Sequence, residues 1–566
     1  MSKIFDVTRR DGPARLGRMK FGYDKLDAIE TPYILSSQKE RWVEQLSRQW
    51  QFSSVNHTVL PSGMKVAIIG NEPVAQSTEK ADLYIISKAI FLGKNSDAFV
   101  RTVTDAREKV PPDTAIYAPA LATPANLSML VYAGVDIVDD VLCRVSGYND
   151  VYMTLEGEVG VDPKELEELP CSCKVCASQK LKDIGRRERF PLLAEHNFIK
   201  LSEESRKIKG LIRSGRMREY VEKQCRMSAW QVEVLRLLDA HPTYMERRAP
   251  VARESTMLAS SMETLRRAEI RRFAERVITR FSSDRKVLVL LPCSARKPYS
   301  HSPSHRKFIQ ALGKYRDFIQ EIIITSPLGV VPRELEMTYP AAHYDVPVTG
   351  YWDAEERKWV ESCLESYLQK NKHEHIIGHL DGAYREVCER VASILGIEIE
   401  YTAAGRVTSP ESLKRLGDAV ERKCQMQMEK KNYVGQVLMA VADYQFGKGT
   451  GEKLLGSAQT RFHSRPVYGA KGIATLNKYG LLSLTLAGAK RLNDMTSYQV
   501  EIDDFVPVGS ILAPGVINAD ENIRMNDEVL VYGRRVFGVG RAVMSGWEMV
   551  SSERGVAVKM RYIKKI

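Results

Sequence analysis

Three thiols crowd into six residues, Cys171-Ser-Cys173-Lys-Val-Cys176, and His196 follows after nineteen more. Thiolates and a neutral imidazole are the ligands zinc prefers, and the close thiol spacing lets one loop supply three corners of a tetrahedron. A chain so stapled must fold its loop against the helix that carries His196. With all four corners filled by protein, the metal is expected to be structural rather than a Lewis acid. Nine cysteines in 566 residues are no disulfide scaffold, so the cluster points to metal in a reducing, cytoplasmic compartment.

The staple interrupts two stretches of α/β alternation. Before it, VAIIG at 66–70, DLYIIS at 82–87 and DTAIYAP at 113–119 read as buried strands, with helical segments such as DAFVRTVTDAREKV between them. After it, residues 192–240 read as nearly continuous helix, and a second charged helix is expected over about 254–282. In that helix Ile270, Phe273, Ala274, Val277, Ile278 and Phe281 form one apolar stripe. Its arginines, Arg266, Arg267, Arg271, Arg272, Arg276 and Arg280, are expected to lie on a solvated face.

From 286 the alternation restarts with KVLVLLP, EIIITS, HIIGHL and IEIEYT, which predicts a separate parallel-sheet domain. Residues 430–495 are mixed, and 496–566 are short strands broken by Gly and Pro turns, as in a small β-barrel. Apolar runs such as Val287–Leu291 fall far short of the ~18 residues needed to span a bilayer. The opening MSKIFDVTRR has no apolar core of a secretory signal, so no membrane association is expected. A net charge of +12 permits a nucleic-acid partner without requiring one.

The densest chemical signal is Pro292-Cys293-Ser-Ala-Arg-Lys297-Pro298-Tyr299-Ser-His-Ser302-Pro-Ser-His305, directly after strand KVLVLL. In open α/β sheets ligands sit at the carboxyl ends of strands, where Cys293 would emerge. Ser302 followed by Pro303 reads as the cap and first position of a helix. That helix end, with Lys297 and His305, would favour the thiolate of Cys293. The plainer readings are a small buried Cys293, a Ser302 that only caps and a Tyr299 that only packs.

These segments resemble known proteins. CSCKVC with LLAEHNFIKLSEESRKIKGLIRSGRMREYVE is similar to the zinc subdomain of tRNA-guanine transglycosylases, and RDGPARLGRMKFG…IETPYIL to their opening hairpin. PALATPANLSMLVYAGVDIVDDVLCRVSGYNDVYMTLEG resembles their late barrel strand, which puts Asp139 at the position of the base-exchange nucleophile. The Asp-Ser-Gly-Gly-Phe-Gln type and Gly-Gly recognition loops of that family have no counterpart here. Only 170 residues precede Cys171, and a β/α barrel needs about 200–250.

The Cys293 motif and the block from Thr325 to Asp353 resemble archaeosine synthases, archaeal paralogues of the transglycosylases. DYQFGKGTGEKLLG and YGLLSLTLAGAKRL resemble the transglycosylase linker domain, and the last seventy residues a PUA module. The resemblance implies a multidomain α/β chain. It would comprise a degenerate TIM-barrel-like transglycosylase domain (1–165), a zinc-binding and helical subdomain (166–250), a family-specific α/β catalytic domain (251–424), a mixed α+β C2-like linker domain (425–495) and a PUA β-barrel (496–566).

It further implies a tRNA-modifying transferase that adds free lysine to the nitrile of 7-cyano-7-deazaguanine in the D-loop. The amidine product would pass to a radical SAM lyase. Homodimerisation through the zinc region is an analogy with transglycosylases.

On this reading Cys293 is the nucleophile, in a motif with Tyr299 and Ser302, and His305 or Lys297 protonates the developing nitrogen. Ser326, in the second block, would be a substrate-binding residue. Glu334, Asp345, Asp353 or Asp381 would hold the lysine ammonium or take its proton, and Arg333 its carboxylate. Cys171, Cys173, Cys176 and His196 would hold Zn²⁺. Arg554, Lys559, Arg561 and Lys564, in a cationic tail, would meet tRNA phosphate. Two competing readings are base exchange through Asp139 and a non-catalytic tRNA-binding scaffold.

Overall fold

The computed structural model describes residues 5–19, 29–36, 57–59, 64–69, 80–157, 168–178, 181, 184–347, 351–424, 432–456, 458–462 and 468–566. Residues 20–28 of the opening hairpin and 348–350 of the second block lie outside them. The chain divides into two compact units. One is Met1–Ala249 with Leu512–Pro514 and Glu548–Val556, and the other is Pro250–Ile511 with Gly515–Trp547 and Ala557–Ile566.

The first unit opens with antiparallel strands β1 (Phe5–Asp11), β2 (Ala14–Met19) and β3 (Ile29–Glu30). Six more strands make a single sheet: β4 (Tyr33–Leu35), β5 (His57–Val59), β6 (Lys65–Ile69), β7 (Leu83–Ile86), β8 (Ala115–Tyr117) and β9 (Ile137–Asp139), in the order β4-β9-β8-β7-β6-β5. All pairings are parallel except β5 with β6. Among the described residues this is a partial version of an eight-stranded barrel.

The helix expected over 192–240 is three helices, Arg186–Ser214, Met217–Gln224 and Ala229–Asp239. The first stops at Gly215, whose φ of 67° is left-handed and ends the helical hydrogen bonding. Ser228 starts the third by accepting a hydrogen bond from the Gln231 amide.

The charged helix of the second unit is shorter than the expected 254–282, spanning Ala268–Arg280 around the apolar stripe, and is preceded by a 3₁₀ turn at Met262–Arg266 and strand β10 (Met257–Leu258). Its arginines do not form a solvated face. Arg267, Arg272 and Arg276 are buried; Arg272 donates to the Pro250 carbonyl at 2.8 Å, and Arg253 pairs with Glu269 at 3.1 Å. Arg-rich spacing looks the same in sequence whether the guanidinium meets water or a buried carbonyl.

The sheet beyond this helix contains β11 (Val287–Pro292), β12 (Ile319–Thr325), β13 (Gly329–Pro332), β15 (His375–Gly378) and β16 (Glu400–Tyr401), in the order β13-β12-β11-β15-β16; β14 (Tyr344–Asp345) pairs with β10. Only β13 runs antiparallel within the larger sheet. Every residue of β11 and β12 is buried, as expected for strands covered on both faces. Val287, Val289 and Leu291 alternate onto one face, against Phe308 and Leu312 of helix Pro303–Leu312 and Leu416, Ala419 and Val420 of helix Pro410–Lys423. β11 therefore lies in the middle of the sheet, and its carboxyl end delivers Cys293 between the ends of β12 and β15.

Helices Tyr433–Phe446 and Thr450–Leu455 precede a four-stranded antiparallel sheet. A six-stranded sheet ends the chain, with strand Val556–Lys565 between Ser510–Leu512 and Val536–Ala542. No helix among the described residues is long and apolar enough to cross a membrane.

Candidate active site and metal centre

Of the six cysteines outside the metal cluster, five are buried and Cys293 alone is part-exposed. Burial pushes the thiols of Cys143, Cys363, Cys388 and Cys424 up, Cys363 to about 12. The Cys293 sulfur lies 3.0 Å from the hydroxyl of Tyr384, which stands in the first turn of helix Gly382–Leu395 following β15. Trp352 packs edge-on against the Tyr384 ring, with centroids 4.7 Å apart.

Behind the sulfur runs a chain of hydroxyls. Tyr299 bonds Tyr344 at 2.7 Å, Tyr344 meets Thr325 at 2.9 Å, and Thr325 donates to the Ser326 carbonyl at 3.1 Å. Ser326 donates in turn to Glu356 at 2.6 Å. The Lys297 ammonium stands 4.0 Å over the Tyr344 ring, buried and without a hydrogen-bond acceptor. Burial pushes its pKa down, while Cys293 and the exposed Asp345 pull it back up.

Several anticipated residues stand elsewhere. His305 does not reach the sulfur as a proton donor: Nε2 donates to the Pro292 carbonyl at 3.0 Å, and Nδ1 accepts from Arg333 at 2.9 Å. Burial, then the Arg333 charge, hold its pKa down at about 3, so the ring is neutral and spends both nitrogens on the core. Arg333 has no free edge for a substrate carboxylate. It is buried and bonds Glu321 at 2.7 Å and Glu336 at 2.9 Å. Glu334 accepts from Gln320 at 2.8 Å and lines a cavity of about 420 Å³ with Arg285 and Asp443, at the amino end of β12, opposite Cys293.

Ser302 is buried and caps helix Pro303–Leu312, accepting from the His305 amide at 3.2 Å. Asp353 is likewise a cap, exchanging hydrogen bonds with Glu356 across the first turn of helix Ala354–Lys370. Asp381 occupies the cap position of the Tyr384 helix without a side-chain capping bond. The structure thus brings Cys293, Lys297, Tyr299 and Ser326 to one strand end, with Asp345 and Asp381 at its margin.

In the first unit the Asp139 carboxylate is 1% exposed and accepts from the Tyr117 hydroxyl at 2.6 Å, the Ala120 amide at 2.9 Å and the Val141 amide at 3.1 Å. Burial outweighs these donors and pushes its carboxyl up to about 6. A nucleophile needs a free lone pair facing substrate, and this carboxylate spends its oxygens on the protein.

Cys171, Cys173, Cys176 and His196 bring their four donor atoms within 4.8 Å of one another. His196 Nδ1 stands 3.5 Å from the Cys173 sulfur and 3.3 Å from that of Cys176. Those separations suit the edges of a tetrahedron with metal–ligand arms of about 2.0–2.3 Å. Nε2 donates to the Met153 carbonyl at 3.0 Å, which leaves Nδ1 bare toward the sulfurs. The Tyr152 ring stacks on His196 at 3.9 Å. The residues present fit a closed zinc site.

On the final strand Lys559 and Lys564 are exposed, and Arg554, in the bend before it, is half-buried. Arg561 is tied to Glu528 by an ion pair and so is less free to meet phosphate than its position in the strand suggested.

Four family models match along the chain: Queuine tRNA-ribosyltransferase over 71–229, a domain of unknown function over 270–420, the patch-forming domain C2 of tRNA-guanine transglycosylase over 436–499, and a PUA domain over 501–564. The archaeosine synthase subunit alpha of Methanosarcina acetivorans is 48% identical over 86% of this chain and 80% of its own. The archaeosine synthase of Haloferax volcanii is 38% identical, with both chains covered in full. This chain belongs to the archaeosine synthase family.

A tRNA-guanine(15) transglycosylase of Methanothermobacter thermautotrophicus is 28% identical over 82% of this chain and 68% of its own. Cys293 and its neighbours fall within the stretch of unknown function. Tyr384, Trp352 and Tyr344 escaped the sequence reading because strand order brings β15 beside β11, and strand order is not written in local pattern. The available signal was the aromatic three residues after Asp381, in the turn following a buried strand.

Proposed function

We propose that this archaeosine synthase family member joins lysine to the nitrile of 7-cyano-7-deazaguanine carried by tRNA, through a covalent adduct on Cys293. The sulfur lone pair forms the S–C bond, and one π pair of the nitrile moves to nitrogen, which takes a proton from the Lys297 ammonium. The lysine amine then adds to the thioimidate carbon and gives its proton to Lys297. The C–S bond breaks to return the thiolate and leave the amidine. Two additions of modest difficulty replace one hard one. The zinc cluster would brace its loop against the helix carrying His196, and Lys559 and Lys564 supply sequence-independent attraction for the tRNA backbone.

The observation that carries this reading is a part-exposed thiol at a central strand end, beside a buried ammonium that has no acceptor. The sealed Asp139 weighs against base exchange. The experiment is the full chain with labelled lysine and tRNA bearing the cyano base, native against Cys293→Ala. Label is expected on the RNA with the native protein and to fall at least a thousandfold in the variant, a loss typical of a missing nucleophile. Undiminished labelling in the variant would remove the covalent route. Guanine release from unmodified tRNA, without labelling, would favour base exchange. Binding alone would leave the scaffold.

The amidine would then be the substrate of a radical SAM lyase.

A further inference from the structure

No residue of the motif from Pro292 to His305 makes a hydrogen bond to the Cys293 sulfur. The group that does, Tyr384, lies outside that motif on a different element. Its ring is fixed from behind by Trp352, which is itself 7% exposed. The Trp352 carbonyl accepts from Arg357 at 3.0 Å, and Arg357 pairs with Glu386 at 2.7 Å, one turn along the Tyr384 helix. A phenol so clamped points its O–H at one place.

We propose that Tyr384 is a catalytic residue of the Cys293 site: its O–H donates to the sulfur, stabilises the thiolate and holds it in the rotamer from which it attacks. The catalytic part of this inference rests on the function proposed above; the contact with sulfur does not. When the S–C bond forms, the thiolate charge passes to the nitrile nitrogen and is quenched by the Lys297 proton. Tyr384 keeps its own proton throughout, and its hydrogen bond returns to full strength when the C–S bond breaks and the thiolate leaves. Burial, then Cys293, push the phenol pKa up, which keeps it a donor rather than a base. The other titratable groups around the sulfur are Lys297, Tyr299 and Tyr344, with Asp345 acting on Lys297 and Asp381 on Tyr384. None of them makes a hydrogen bond to the sulfur, and among the described residues Tyr384 has no understudy.

The test is Tyr384→Phe in the full chain, which keeps the ring and its contact with Trp352. Alkylation of Cys293 by iodoacetamide, followed across pH by peptide mass spectrometry without tRNA, reads the thiolate directly. A hydrogen bond to a charged acceptor is worth enough that alkylation at pH 7 is expected to slow about tenfold, with the pH profile displaced upward. Lysine transfer is expected to lose about tenfold or more in kcat, with KM for tRNA within about twofold. An alkylation profile that superimposes on the native one, or moves downward, would overturn the inference. If instead Cys293→Ala retains lysine transfer while Tyr384→Phe still slows alkylation, the covalent route and the catalytic part of this inference fail, and the sulfur–phenol contact stands.

Discussion

Arg333→Met is expected to destabilise the domain around β11 and β12 by about 3–5 kcal/mol, the cost of removing one member of a buried ion network. Arg333, Arg316, Glu321 and Glu336 form a balanced set of two cations and two anions beneath the sheet. Methionine fills much of the volume but leaves Glu336, among the described residues, with the Ser300 amide at 2.9 Å as its hydrogen-bond partner, and strips His305 Nδ1 of its donor. The measurement is amide hydrogen exchange at β12, where opening should become roughly a hundredfold to several thousandfold more frequent. Unchanged protection there would show that the network contributes little.

The effect carries a pH signature. Burial would raise the Glu321 carboxyl, but the Arg333 and Arg316 charges override it and hold its pKa at about 2, against an ordinary 4.5. A depressed carboxylate contributes stability that is present above its unfolded pKa and lost as pH falls through its folded one. The native domain should therefore weaken between about pH 4.5 and 2. The gap between native and variant should be widest at neutral pH and close over that same range.

Cys176→Ala is expected to abolish stoichiometric zinc and to unfasten residues 168–197. Structural zinc sites in small peptides contribute about 10–16 kcal/mol of apparent binding free energy, more than a local segment has in reserve. The segment here has a small apolar cluster of its own, in which Tyr152, Val175, Leu181 and Leu193 are the buried members. Burial pushes the Lys200 pKa down, but its hydrogen bond to Glu203 and then the nearby Cys171 charge raise it, so a cation shared with Glu203 stands beside the three thiols. Elemental analysis of the native chain should give one zinc per chain and of the variant none. Hydrogen exchange across 168–197 should lose protection with the metal, whereas β11 and β12 keep theirs. A variant that retains full zinc would mean that Cys176 is not a ligand.

The two sites were unequally legible in sequence, for a physical reason. A closed zinc site is built from residues near one another along the chain, and three thiols in six positions have few other uses. The Cys293 site draws on the ends of three strands and on the first turn of a helix almost a hundred residues away. Local reading could find the thiol and the lysine, but His305 and Arg333 have the right chemistry for catalysis and the structure turns both inward. Their polar groups satisfy one another and the Pro292 carbonyl, and so align the strand end on which Cys293 sits. A core device and a catalytic device use the same residue types. Burial and partner decide between them.

By itself the sequence determined the alternation that makes two largely parallel sheets, the cysteine spacing suited to a metal site and the helix cap at Ser302, because each depends on neighbours within a few residues. Only the tertiary structure decided which polar groups face water and which are consumed inside. It closed Asp139 under Tyr117, buried Arg272 and Arg276 of helix Ala268–Arg280, and set Tyr384 against the Cys293 sulfur. Those outcomes depend on which strands lie side by side, and that is settled by the packing of whole faces rather than by any local pattern.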